Sequence, residues 1–154
     1  MGATFHHTNI VSHDPERLAA FYVDVFGCVL SGPPRNLQGD WIERGTGLDG
    51  AHITGFMLRL PGHGEAGPGL EIFKVEGSDP SVPGKVDRPG LMHVCFVVDD
   101  VQETLDRMLA AGGQLQGQIV DTGPIPGVGR ADFVYARDPD GNIVELVAWN
   151  RADA

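Results

Sequence analysis

Apolar and polar residues alternate along residues 5–12, a pattern that predicts a β-strand. The spacing then changes to that of a helix. Asp14 is a suitable N-cap, Pro15 fits the first helical position, and Gly27 ends the pattern. The apolar stripe of this helix contains Leu18, Phe21, Tyr22 and Val25.

Short apolar runs after this helix predict three further strands near 28–31, 52–60 and 69–75. The segment 32–50 is rich in Gly and interrupted by Pro, so we expect mostly loop there. A short strand around Trp41 is the one regular element that this segment suggests.

The same succession of patterns returns in the second half. Residues 92–98 predict a strand, Asp100 and Glu103 have the spacing of a capping box, and Gly112 with Gly113 ends the helix. Its predicted buried stripe contains Val101, Leu105, Met108 and Leu109. Further strands are predicted near 115–120, 132–137 and 143–149, with a turn at 138–142.

The chain therefore contains an internal repeat. In both halves a His opens the first strand and an Asp follows seven residues later: His7 with Asp14, and His93 with Asp100. The last predicted strand of each half carries one embedded Glu. We expect two βαβββ modules, at 4–76 and 91–150, which a Gly- and Pro-rich linker at 77–90 joins into one compact domain.

Charge and composition exclude several partners. The net charge of −10 argues against nucleic acid and against an anionic membrane. No apolar run approaches a membrane span, and the first residues do not resemble a secretion signal. Cys28 and Cys95 lie in apolar surroundings, so we expect two buried free thiols and a cytoplasmic protein.

Strand alternation selects the candidate site. His7 and Asn9 share one strand face, and His93 lies on the face opposite the apolar residues of its own strand. Glu71 and Glu145 interrupt apolar strands, where an unpaired carboxylate is costly to bury. Two His and two Glu at repeat-equivalent places predict a divalent metal site, with Asn9 and Phe73 as candidate substrate contacts. The alternative is that these side chains are ordinary residues on a solvated sheet face.

These residues carry a resemblance to a known family. The segments 7–14, 93–100 and 138–145 resemble the vicinal oxygen chelate superfamily, which includes glyoxalase I, methylmalonyl-CoA epimerase, extradiol dioxygenases, fosfomycin-resistance enzymes and bleomycin-binding proteins. The resemblance covers residues 5–149 and implies an α+β fold in which two βαβββ modules form a curved mixed β-sheet around a metal. It implies four ligands: His7, Glu71, His93 and Glu145.

The resemblance is closest, in its ligand pattern, to glyoxalase I and methylmalonyl-CoA epimerase, because Glu71 adds a fourth protein ligand. It implies an isomerase or lyase that acts on a small carbonyl compound through a metal-bound enolate. Glu145 is then the first candidate for the base, and Glu71 is a ligand or second base. Nitrogen and oxygen ligands without thiolate favour Ni, Co, Mn, Fe, Zn or Mg.

The sequence also departs from the resemblance. Bacterial glyoxalase I has an Arg and an Asn that hold glutathione, and Val11 and Val75 stand at those positions, so glutathione is not expected. A coenzyme A thioester needs cations for its phosphates, and only 11 Lys and Arg are available. The cations that could supply this charge are Arg35, Arg44, Arg59 and Lys74.

Two other functions stay open. The first is a small-molecule-binding or resistance protein of the bleomycin-binding type, and the second is an Fe(II)-dependent dioxygenase that uses His7, His93 and Glu145. Open sheet edges and an apolar concave face also predict a homodimer. The metal site is then built within one chain or across the dimer.

Overall fold

The computed structural model describes residues 2–150, and these divide into two compact units. One unit ends at Ser81 and the other begins at Val82. This division lies inside the Gly- and Pro-rich segment 77–90. Within residues 2–150, no helix is long and apolar enough to cross a lipid bilayer.

The first unit is a mixed sheet with two helices. Its elements are β1 (His7–Val11), α1 (Pro15–Phe26), β2 (Val29–Leu30), β3 (Arg35–Gln38), α2 (Asp40–Thr46), β4 (His52–Arg59) and β5 (Gly69–Val75). The strand order is β1-β5-β4-β2, and β3 also pairs with β4. β1 runs parallel to β5, whereas the other pairs are antiparallel. Since β2 and β3 both pair with β4, they are two segments of one interrupted strand, and the module is βαβββ.

The second unit repeats this plan. Its elements are β6 (His93–Val97), α3 (Val101–Ala110), β7 (Gln114–Leu115), β8 (Val120–Asp121), β9 (Arg130–Arg137) and β10 (Ile143–Asn150). The order is β6-β10-β9-β7, with β8 also on β9 and with β6 parallel to β10. The predicted α+β class and vicinal oxygen chelate fold are confirmed. The strand predicted at 115–120 is interrupted, in the same way as its counterpart in the first unit.

The helix ends form as the sequence predicts. The Asp14 carboxylate accepts a hydrogen bond from the Arg17 amide at 3.1 Å, and Gly27 ends α1 with a φ of 70°. In α3, Asp100 accepts from the Glu103 amide at 2.8 Å. These caps fix where each helix begins along the chain.

Each helix buries its apolar stripe against its own sheet. The first core contains Leu18, Phe21, Tyr22, Val25, Leu58, Leu70 and Ile72, and the second contains Val101, Leu105, Met108, Val134, Val144 and Leu146. The prediction that Leu109 belongs to the buried stripe is wrong, because it remains 38% exposed. The face of each sheet away from its helix carries the embedded Glu.

The segment around Trp41 differs from the prediction. Trp41 lies in helix α2 and is 58% exposed, so no strand forms there. Arg44 and Asp40 form an ion pair at 3.2 Å, one helical turn apart, and the Thr46 hydroxyl donates to the Ile42 carbonyl at 2.7 Å. Because α2 has no buried residue, its sequence lacks the apolar stripe that would have predicted a helix.

Candidate metal centre

In the first unit, the parallel pairing of β1 with β5 brings His7 to Glu71. The register places Asn9 directly beside Glu71, one strand across. His7 Nε2 lies 3.1 Å from Glu71 Oε2, and Asn9 Nδ2 donates to the same oxygen at 3.3 Å. Glu71 is only 16% exposed, against 37% for His7, so the carboxylate is the less accessible member of the pair.

The second unit builds the same pair on β6 and β10. His93 Nε2 lies 3.0 Å from Glu145 Oε2, and these side chains are 26% and 20% exposed. The register places Cys95 beside Glu145, at the position that Asn9 has in the first unit. The repeat therefore preserves the His–Glu pair and changes its neighbour from an amide to a thiol.

The structure thus brings the four predicted side chains together as two pairs, His7 with Glu71 and His93 with Glu145. Within residues 2–150 it contains no group of three or more His, Cys, Asp or Glu side chains arranged around a common point. That all four bind one ion stays a prediction.

Each pair fits a divalent cation. The N–O distance within each pair, 3.1 Å in the first unit and 3.0 Å in the second, is that of a direct hydrogen bond. It also matches the roughly 3 Å between neighbouring ligand atoms whose bonds of about 2.1 Å meet at right angles on a metal. Imidazole nitrogen with carboxylate oxygen suits borderline divalent metals. His93 Nδ1 is buried without a hydrogen-bond partner in the described structure, whereas His7 Nδ1 lies 2.7 Å from His6 Nδ1.

Two aromatic residues that the sequence analysis did not select lie next to the second pair. Tyr135 is directly opposite Glu145 in the antiparallel register of β9 and β10. Its ring centroid lies 5.3 Å from that of His93 and 5.7 Å from that of Phe133. Tyr135 and Glu145 are equally far from the middle of the turn at 138–142, so an antiparallel hairpin around this turn would have predicted their pairing from the sequence. Met57 has the same place opposite Glu71.

The thiol and phenol beside Glu145 hold their protons tightly. Desolvation, the charge of Glu145 and a hydrogen bond to that carboxylate together raise the pKa of Cys95 to about 12. Desolvation, followed by the charges of Glu145 and Cys95, also raises the pKa of Tyr135. Both groups are therefore neutral donors at pH 7.

Cys95 corrects one prediction. Both cysteines are free, and Cys28 is buried as expected, but Cys95 is exposed. The reason is its place on β6, a strand at the end of its sheet, on the face that also carries His93.

Other predicted residues have different surroundings. Phe73, a predicted substrate contact, is 8% exposed, so little of its surface is accessible. His13 Nε2 contacts the Asp79 carbonyl at 3.1 Å, and His52 Nε2 contacts Asn36 Oδ1 at 2.8 Å. Both of these His side chains bind neighbouring polar atoms instead of joining a His–Glu pair.

Two βαβββ units, each with a His–Glu pair on parallel strands, define a protein of the vicinal oxygen chelate fold. The chain belongs to the Glyoxalase/Bleomycin resistance protein/Dioxygenase superfamily, whose family model matches residues 4–146.

Known proteins with similar sequences or structures have varied descriptions. A probable lactoylglutathione lyase of Vibrio parahaemolyticus is 36% identical over 62 residues, which is 40% of this chain and 42% of that protein. A glyoxalase family protein from Bacillus cereus has a TM-score of 0.73 at 22% identity, with 96% of this chain and 93% of that one covered. The fosfomycin resistance protein FosX of Listeria monocytogenes, in complex with Mn(II) and sulfate, has a TM-score of 0.56 at 14% identity, covering 98% and 95%.

Proposed function

We propose that the chain is a divalent-metal-dependent isomerase or lyase that moves a proton next to the carbonyl group of a small substrate. The observation that supports this most directly is the occurrence of two His–Glu pairs at equivalent places, with N–O separations of 3.1 and 3.0 Å. The reaction then passes through an enolate, whose formation needs a base close to the substrate carbon.

The proposal gives the two carboxylates different tasks. Glu71 Oε2 accepts a hydrogen bond from the Asn9 amide and contacts His7, and we assign it mainly the role of a ligand. Glu145 takes the substrate proton and returns it. A divalent cation bound by these residues would supply Lewis acidity to the substrate oxygen. Cys95 and Tyr135 keep their protons beside Glu145, so neither neutralises this carboxylate by giving up a proton.

The comparisons support a glyoxalase-like chemistry without naming the substrate. The relative from Vibrio parahaemolyticus is a probable lactoylglutathione lyase, but the matching segment spans about two fifths of that protein's length. FosX was crystallised with Mn(II), which supports metal binding on this fold. We do not propose glutathione as a cosubstrate, because Val11 and Val75 stand where bacterial glyoxalase I has the Arg and Asn that hold it.

The base assignment has a direct test in the variants Glu145→Gln and Glu71→Gln. We expect Glu145→Gln to fold and to slow exchange of a substrate's α-hydrogen in D₂O by roughly 10²–10⁴, because an amide accepts no proton at neutral pH. Glu71→Gln should slow the exchange less, because an amide oxygen can still bind a metal. NMR follows the exchange after a screen of 2-oxo hemithioacetals, acyl thioesters and 2-hydroxy ketones.

Unchanged exchange in Glu145→Gln would refute its assignment as the base. If the wild-type protein exchanges no candidate substrate but binds an aromatic or drug-like ligand tightly, the chain is a binding protein. Oxygen consumption by the Fe(II)-loaded protein would instead identify a dioxygenase.

A further inference from the structure

The repeat places an Arg two strands away from the His of each unit. In the first unit, His7 pairs with Gly69, and Gly69 pairs on its other side with Arg59. In the second unit, His93, Ile143 and Arg137 form the corresponding row. Residues aligned across neighbouring strands project from the same sheet face, so each Arg lies on the face of its His–Glu pair.

Arg137 has a structural role. Its guanidinium donates to the carbonyls of Gly84 at 2.9 Å and Gly141 at 2.7 Å, and it also donates to the Gln116 side chain. Ile143, the middle residue of this row, is 2% exposed. In the second row a buried Ile therefore lies between His93 and Arg137, and backbone carbonyls hold the Arg137 guanidinium.

Arg59 has different surroundings. Its Nη1 lies 3.7 Å from Glu65 Oε1, beyond the usual length of a hydrogen bond, and the Glu65 side chain is 97% exposed. An exposed pair of this kind contributes little energy, so another anion can replace Glu65 at small cost. The middle residue of the row is Gly69, and the Met57 side chain covers it, since a Cβ atom on Gly69 would lie 2.7 Å from the Met57 sulfur.

A small cavity lies next to this row. It has a volume of about 110 Å³. The residues that line it include His6, Ser31, Met57, Arg59, Glu65 and Gly69. Its walls thus combine one guanidinium with an imidazole and a hydroxyl, which are hydrogen-bond donors suited to a small oxoanion.

We infer that Arg59 binds a carboxylate group of the substrate, in the cavity beside the His7–Glu71 pair. This inference rests on the proposed function and narrows it to small carbonyl compounds that carry a carboxylate. The chain has a net charge of −10 and repels anions as a whole, so an anionic substrate requires a local cation. Arg59 supplies that cation, and Glu65 occupies it only until the substrate arrives.

The test compares pyruvate with methyl pyruvate, which differ in the carboxylate and share the ketone. Binding of each to the whole chain as purified is measured from ¹H–¹⁵N NMR shifts, including those of the Ser31 and Gly69 amides. We expect Arg59→Gln to weaken pyruvate binding roughly fivefold to tenfold and Arg59→Lys to weaken it less, since Lys keeps the charge but loses the planar fork. Glu65→Gln should tighten pyruvate binding by roughly twofold, because it removes the competing carboxylate.

The matched control is Arg44→Gln, which removes an exposed Arg from α2 and should leave pyruvate binding unchanged. Methyl pyruvate should bind more weakly than pyruvate and should not respond to Arg59→Gln. Equal pyruvate affinities in Arg59→Gln and wild type, or no shift at Ser31 and Gly69, would overturn the inference. So would inorganic phosphate binding as tightly as pyruvate, because the site would then select any oxoanion. This experiment measures binding. A failure of α-hydrogen exchange would therefore contradict the proposed function and leave the effect of Arg59→Gln on pyruvate binding unchanged.

Discussion

Asn9 and Cys95 occupy equivalent positions, and each contacts the Glu of its own unit. Asn9 donates a hydrogen bond to Glu71 at 3.3 Å, whereas desolvation, followed by the charge of Glu145 and a hydrogen bond to it, raises the pKa of the Cys95 thiol to about 12. One exchanged residue thus gives two otherwise similar carboxylates different neighbours. This difference is the reason why the proposal assigns Glu145 and Glu71 different tasks.

The thiol of Cys95 reports on Glu145. With a pKa of about 12, Cys95 is almost entirely protonated at pH 8, so we expect slow alkylation by iodoacetamide in metal-free protein despite its exposure. In Glu145→Gln the charge and the hydrogen bond to the carboxylate are lost, and the pKa falls. The thiolate fraction at pH 8 rises roughly tenfold for each pKa unit lost, and the alkylation rate should rise by roughly threefold, because a thiolate of lower pKa is a weaker nucleophile.

Mass spectrometry locates the modified thiol in this experiment. Cys28 should stay unmodified in the native protein, because it is buried and its pKa is raised to about 11 by that burial. Glu71→Gln is the control variant, since Glu71 is not among the groups that raise the Cys95 pKa. Equal alkylation rates in Glu145→Gln and Glu71→Gln would contradict the contact between Cys95 and Glu145.

At the scale of elements, the approach of β4 to β5 depends on Gly55. This residue has a φ of 147°, and a Cβ atom there would lie 2.1 Å from the Ile72 carbonyl oxygen. Gly55 also pairs with Phe73, two residues from Glu71 on the same strand. A side chain at this position would therefore push apart the strands that hold the first His–Glu pair.

We expect Gly55→Ala to destabilise the protein by about 2–4 kcal/mol, from backbone strain together with overpacking. Urea unfolding followed by circular dichroism measures the change. The matched control is Gly45→Ala in α2, where the added Cβ meets no atom within 4 Å. Its effect should be neutral or stabilising by less than about 1 kcal/mol. Similar unfolding midpoints for the two variants would show that β4 and β5 tolerate a wider spacing.

Elements with a buried face were predicted from the sequence with the most accurate bounds. Helices α1 and α3, with their Asp caps, and strands β4, β5, β9 and β10 were predicted nearly to the residue, because their apolar patterns report burial. Helix α2 and strand β3 were not predicted, since α2 buries nothing and β3 is a short segment in a Gly-rich stretch. Strand β2 lies within the predicted 28–31, and the single strand predicted at 115–120 is divided into β7 and β8, because the pairing with β9 sets its limits.

The candidate site shows the same limit. The four His and Glu residues were found from the repeat alone, and the structure joins them as two pairs. Tyr135 was not selected, and Arg59 was named only among four cations that could bind phosphate, because the place of both residues depends on the register between antiparallel strands rather than on a motif. The exposure of Cys95 also depends on where β6 lies in its sheet, which a local apolar context does not reveal.

At the scale of the whole molecule, the first strand of each unit lies at one end of its sheet. These two strands expose apolar side chains on the face of the His–Glu pairs, with Val11 at 51% and Val97 at 69%. We therefore predict a homodimer that covers such surface. Sedimentation equilibrium at micromolar concentration should give about twice the 16.4 kDa of the chain. A mass of one chain under these conditions would contradict the prediction.

The number of ions per chain decides whether the two His–Glu pairs act together. If both pairs bind one ion, whether they come from the same chain or from partner chains, elemental analysis of untagged protein should give one divalent metal per chain. Removing either His then leaves three ligands and weakens binding greatly, so His7→Ala and His93→Ala should each lose most of the metal. His13→Ala and His52→Ala are matched controls, because these side chains contact Asp79 and Asn36 instead, and both variants should keep the full amount of metal.

Two ions per chain in the wild type, with one retained in each single variant, would mean that each pair is a separate site. The sequence repeat favours a single shared ion, because one His and one Glu alone provide too few ligands to hold a metal tightly. Two such pairs provide four ligands and leave two positions of an octahedron for a chelating substrate.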